Sequence, residues 1–156
     1  MSEPAIHSNP MISRRAGRRI GYVVAIVVNL LIYGFINAWP GWDSFDFITP
    51  AAADVVPLVN LSVTVAILVN IVYLFADGTR VRALGEIVAS TAATVASAVV
   101  LNAFPFDFSA YTFPWAIVVR IVLVIAIVGS GISVLVNLYR LIRGPRPQRP
   151  PTAVTP

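Results

Sequence analysis

Apolar positions in this chain gather into four long blocks, at about residues 20–39, 58–75, 83–104 and 115–141, with short polar or aromatic connections between them. An α-helix rises about 1.5 Å per residue, so a block of about 20 residues crosses the roughly 30 Å hydrocarbon core of a bilayer. Ile20–Trp39 has that length, and Pro40-Gly41 stops it. In the next connection Thr49-Pro50 reads as an N-cap with Pro in the first helical position, which predicts a short interfacial helix before the second span. Asp77-Gly78 predicts a tight turn into the third span, and Pro114-Trp115 opens the fourth. The pattern predicts an all-α membrane protein: a four-transmembrane-helix bundle over 20–141, a basic N-terminal segment over 1–19, and a Pro/Arg-rich tail over 142–156 that is expected to be disordered.

A doubled motif divides the bundle into halves. Asn37-Ala38-Trp39-Pro40 returns as Asn102-Ala103-Phe104-Pro105, and Leu68-Val69-Asn70 returns as Leu135-Val136-Asn137, at offsets of 65 and 67 residues. Two tandem repeated helical hairpins of one orientation follow from this. Their pseudo-twofold axis would lie along the membrane normal.

Composition sharpens the class. Hydrophobic residues make up 58% of the 156 and charged residues 12%, more apolar surface than a soluble core of this size can hide. Without cysteine, disulfides, thiolate chemistry and Cys-based metal sites are excluded. All 11 basic residues are Arg, and ten of them fall in the N-terminal segment, the 76–82 turn and the C-terminal end. By the positive-inside rule, those three regions are cytoplasmic. Aromatics from Trp39 to Phe47 and from Phe104 to Trp115 then form a belt at the outer interface. The basic balance points to anionic lipid headgroups at the Arg clusters, not to nucleic acid. An uncleaved anchor accounts for the N-terminus better than a signal peptide, because the first apolar run is too long for an h-region.

Lipid tails are as apolar as Leu, so small and weakly polar residues must mark the helix contacts. Glu86, Ser90, Thr94 and Ser97 share one face of the third span; Ala126, Ser130, Ser133 and Asn137 share one face of the fourth. These two faces are expected to pack together. Polar residues also fall into layers by depth: Asn37, Asn60, Asn102 and Arg120 toward the outside, Asn29 near the middle, Asn70, Asn137 and Glu86 toward the inside. They are the candidate intramembrane polar residues, as packing groups or as the wall of a polar path.

Two of these residues are ionisable. An i,i+4 ion pair with Arg82 accounts for Glu86. Arg120 lies where Arg is otherwise absent, and either snorkels to outer headgroups or holds a partner such as Asp43, Asp46, Asp54, Asp107 or an anionic ligand.

Enzymatic signatures are missing. The single His is His7, in the polar N-terminus, so no metal triad and no Ser-His-Asp arrangement can form within the membrane. No Gly-rich phosphate loop or pair of carboxylates on one helix face is present. No catalytic residue, metal or cofactor is therefore assigned, and an enzyme is not expected.

Asn37-Ala38-Trp39-Pro40-Gly41-Trp42, Val59-Asn60-Leu61-Ser62, Asn70-Ile71-Val72-Tyr73-Leu74 and Phe104-Pro105-Phe106-Asp107-Phe108 resemble a group of uncharacterised actinobacterial four-span integral membrane proteins. The likeness covers roughly residues 20–143. It implies the fold and a bacterial inner (cytoplasmic) membrane, and no activity. The expected role is an accessory, interaction or assembly protein, with a membrane protein or a second copy of the chain as partner. The alternative is a small transporter or a lipid- or solute-binding protein that uses the intramembrane Asn residues with Arg120 or Glu86.

Overall fold

The structure is a computed structural model and describes residues 10–143, with side chains from Arg15 onward. His7 and the Pro/Arg-rich stretch after Arg143 lie outside the described residues. Four helices follow one another: α1 (Pro10–Asn37), α2 (Ala52–Phe75), α3 (Thr79–Ala103) and α4 (Trp115–Arg143). Each is long and apolar enough to cross a membrane.

Helix limits depart most from the apolar blocks at two starts, those of α1 and α2, at opposite ends of the molecule. α1 begins ten residues before the apolar run, because Arg is a good helix former and nothing in the Arg14–Arg19 stretch breaks the ladder. α2 begins at Ala52, six residues before its expected start at residue 58. No separate interfacial helix forms at Thr49-Pro50. Instead the carbonyls of Thr49 and Pro50 accept the N–H groups of Ala52 and Ala53 at 2.9 and 3.1 Å, a turn that feeds straight into α2. Pro57 sits in the second turn of α2 and denies the carbonyl of Ala53 its helical donor. α3 ends on Phe104, which takes the left-handed conformation (φ 39°) and donates its N–H to the carbonyl of Val100 at 2.8 Å.

α1 packs on α2, α2 on α3 and α3 on α4, and among the described residues no other helix pair packs along its length. The helices therefore stand in chain order, and α1 and α4 do not close a ring. The buried residues within the helices are Ala52, Val55, Tyr73, Ala83, Ser90, Ala96 and Asn137, most of them small or polar. Large aliphatics such as Leu31, Ile125 and Leu135 face outward instead. This inversion of a soluble core is what a lipid solvent permits, since close approach of backbones replaces hydrophobic burial as the reason to associate.

The α3–α4 seam joins the two faces the sequence singles out. Ser90 Oγ donates to Ser133 Oγ at 3.0 Å, and Thr94 Oγ1 to Ser130 Oγ at 2.9 Å. At the opposite end from the 76–78 turn, the two long connections meet. Thr49 N–H donates to the carbonyl of Pro105 at 3.1 Å, and Asp107 N–H to that of Phe47 at 2.8 Å, forming a single antiparallel bridge between Ile48 and Phe106. Phe45, Phe47, Phe108 and Tyr111 stack across that bridge with ring centroids 5.4–6.4 Å apart.

Candidate functional site

At the Arg-rich end, Asp77 gathers three helices. Arg18 of α1 donates through Nε to Asp77 Oδ2 at 2.7 Å, and Tyr22 donates its hydroxyl to Oδ1 at the same distance. Arg82 of α3 stands 3.7 Å from Oδ1. The hydrogen bond from Tyr22, followed by that from Arg18, holds the Asp77 carboxyl below the ordinary carboxylate range. The Tyr22 ring lies 5.2 Å from that of Tyr73, whose hydroxyl donates to the carbonyl of Arg82 at 2.8 Å. Gly85 makes room for this ring: a Cβ there would stand 2.8 Å from Tyr73 Cζ.

Arg82 is therefore turned to Asp77, and the expected i,i+4 pair with Glu86 does not form. The reason is competition. Asp77 already accepts from Arg18 and Tyr22 in a fixed geometry, and Arg82 joins a carboxylate that is in place. Glu86, half-buried and without an ion-pair partner among the described residues, faces a half-open groove between α3 and α4. The groove holds about 450 Å³, and its walls include Thr79, Arg82, Glu86, Ser133, Asn137 and Arg140.

At the aromatic end, the outer polar layer divides. Asn37 and Asn60 form a reciprocal amide pair between α1 and α2, Nδ2 to Oδ1 in both directions at 2.9 and 2.6 Å. Asn102 is exposed and stands outside this pair. Arg120 places its guanidinium 4.2 Å over the Phe104 ring. Among the described residues no acidic side chain is within ion-pair distance of it. The deeper amides serve their own helices: Asn29, Asn70 and Asn137 donate to the carbonyls of Ala25, Ala66 and Ser133 at 2.8–2.9 Å. Beneath the joined connections lies a second cavity of about 370 Å³, lined chiefly by apolar residues of α2 and α3, with Ile36 of α1 and Leu123 of α4 at its margins.

Among the described residues no side-chain hydrogen bond joins the outer polar layer to the inner one. Asn37 and Asn60 meet, Arg120 goes to an aromatic ring, Asn29, Asn70 and Asn137 engage backbone, and Asn102 stands apart. Asp77, Tyr22 and Tyr73 form the best-connected cluster, and the sequence marks it only faintly. Asp77-Gly78 reads as a turn, and the signal available was a pair of Tyr hydroxyls near the ends of two apolar runs. Among the described residues no group of three His, Cys, Asp or Glu side chains could hold a metal ion.

No protein-family model, curated protein or solved structure matches the chain.

Proposed function

We propose that the chain is a small multi-pass protein of the bacterial inner membrane that acts as an accessory or assembly partner of other membrane proteins. The observation that carries this reading is the open helix order: α1 packs on one neighbour only. Gly17, Gly21 and Gly34 lie on α1 with open space where a Cβ would be. The four-residue spacing of Gly17 and Gly21 lets another helix approach closely. Asn37 and Asn60 engage each other and Asn29, Asn70 and Asn137 their own helices, which supports packing roles for these five amides.

Photo-crosslinking residues placed at Val24, Val27 and Leu31, all exposed on α1, test the proposal in native membranes. A discrete protein adduct, from a partner or a second copy, is expected from one face. Adducts to lipid alone at every position would sink the idea.

The orientation belongs to the same proposal, with both termini and the 76–78 turn cytoplasmic. It is supported by the gathering of Arg15, Arg18, Arg19, Arg80, Arg82, Arg140 and Arg143 at or beyond the helix ends nearest that turn. We also propose that the two hairpins are tandem copies of one unit. The return of Asn37-Ala38-Trp39-Pro40 as Asn102-Ala103-Phe104-Pro105 and of Leu68-Val69-Asn70 as Leu135-Val136-Asn137 supports this. A chain carrying two copies of the first hairpin should then fold as a monodisperse four-span protein, and aggregation of that chain would count against duplication.

A further inference from the structure

We propose that the α3–α4 groove at the Arg-rich end is a binding site for one monoanionic phospholipid. The phosphodiester would lie between Arg82 and Arg140, and an acyl chain would run along the groove toward Gly129. The inference rests on the Arg-rich end facing a membrane surface, as in the proposal above, and it adds a defined site and a ligand class.

The groove is graded along its length. Thr79, Arg82 and Arg140 lie at its mouth; inward along α4 follow Asn137, Val136, Ser133, Ile132 and Gly129, with Glu86 on α3 facing them. Glu86 is four residues, or about 6 Å, deeper than Arg82 along α3. A guanidinium-lined mouth that leads to a wall of mixed polar and aliphatic residues ending at Ile132 and Gly129 matches a phospholipid from phosphate to chain. A soluble anion would have no use for the inner part.

Charge selects the class. Arg82 is shared with Asp77, 3.7 Å away, which leaves Arg140 as the unshared guanidinium of the groove among the described residues. One unshared guanidinium complements a phosphodiester with one negative charge better than a phosphomonoester, which approaches two. The donors of Arg140 are thus available to a phosphate. A second cavity of about 350 Å³ adjoins the first, sharing Thr79, Ala83 and Arg140 and adding Arg80. Arg140 therefore stands between two recesses, a position in which its planar donors can reach a headgroup lodged in either.

Space for the chain comes from Gly129. A Cβ added there would meet nothing within 4 Å, and Ile132 and Val136 continue the apolar wall on the same helix. The wall opposite is anchored independently, because Tyr73 fixes the carbonyl of Arg82 and Ser90 bonds Ser133 across the seam. The two walls are thus fixed relative to each other by contacts that do not involve the proposed ligand.

The full chain, purified in a neutral detergent, is titrated with phosphatidylglycerol, phosphatidylcholine, phosphatidic acid or inorganic phosphate. Native mass spectrometry counts adducts, and thermal unfolding runs in parallel. One phosphatidylglycerol per chain is expected, bound about tenfold more tightly than phosphatidylcholine, the size of one charge-assisted hydrogen bond. Arg140→Gln should remove that preference, whereas Arg15→Gln, outside the groove, should keep it. Gly129→Leu fills the chain path and should weaken phosphatidylglycerol while leaving the unfolding temperature without lipid unchanged or higher. Glu86→Gln should shift preference toward phosphatidic acid.

Equal binding of the neutral lipid, a preference that survives Arg140→Gln, or equal stabilisation by inorganic phosphate would each overturn the proposal. Because the measurement is made in detergent on the isolated chain, its failure leaves the accessory-protein reading untouched, and the crosslinking result does not bear on the lipid.

Discussion

Tyr22 donates its hydroxyl to Asp77 across 55 residues of chain, at 2.7 Å, and so ties the middle of the first helix to the turn between the second and third. The same carboxylate takes Arg18 on its other oxygen. One acidic residue thereby fixes how the first hairpin meets the second, and its neutralisation has a calculable direction.

Asp77 should make the fold acid-sensitive. Its carboxyl is held below the usual value of 3.8, chiefly by Tyr22 and then by Arg18. A carboxylate with a depressed folded pKa contributes stability that is complete above its unfolded pKa and lost as pH falls through the folded value. Asp77→Asn should therefore be less stable than the wild-type chain at neutral pH, with the gap closing below about pH 4. Thermal unfolding followed by tryptophan fluorescence from pH 7 to pH 3 checks this. A gap that stays constant over that range would show that Asp77 acts through its shape and not its charge.

Glycine positions should divide sharply. Gly85→Ala drives a methyl group into the Tyr73 ring, where a Cβ would stand 2.8 Å from Cε1. Overpacking of this kind costs about 1–3 kcal/mol, and here it also disturbs the hydroxyl bond to Arg82. Gly34→Ala meets nothing within 4 Å and replaces a poor helix former, so it should be neutral or gain up to about 1 kcal/mol. Denaturation in mixed micelles ranks the two substitutions, and a Gly85→Ala chain as stable as wild type would contradict the packing described.

Arg120 and Phe104 should be coupled. The guanidinium lies 4.2 Å over the ring, so the residue is held at the bundle's edge by an aromatic partner instead of reaching for headgroups alone. A double-mutant cycle with Arg120→Leu and Phe104→Leu should give a coupling of about 0.5–1 kcal/mol. Strict additivity would reduce Arg120 to a snorkelling group.

Orientation can be read by labelling, because the chain has no cysteine of its own. A cysteine at Ser44 or Ser109, in the two joined connections, should react with a membrane-impermeant maleimide from outside intact spheroplasts. One at Thr79, beside the turn of the Arg-rich end, should react only after the membrane is opened. The reverse pattern would invert the topology proposed.

The four apolar helices, their limits to within a few residues except at the starts of α1 and α2, and the match of the Ser90 face to the Ser133 face were legible in the residues themselves. Span length and stops depend on local composition, and small polar stripes mark a seam wherever lipid offers no competing hydrophobic drive. What the tertiary structure decided were the partnerships: Asp77 with Tyr22 and Arg18, Arg82 away from Glu86, Asn37 with Asn60 while Asn102 stands apart, and Arg120 on Phe104 instead of an acidic loop residue. Apolar faces are nearly equivalent to one another in lipid, so hydrophobicity along the chain does not say which helix lies beside which. Polar side chains then choose among whatever the packing brings within about 3 Å, a distance set by neighbours that are tens of residues away in sequence.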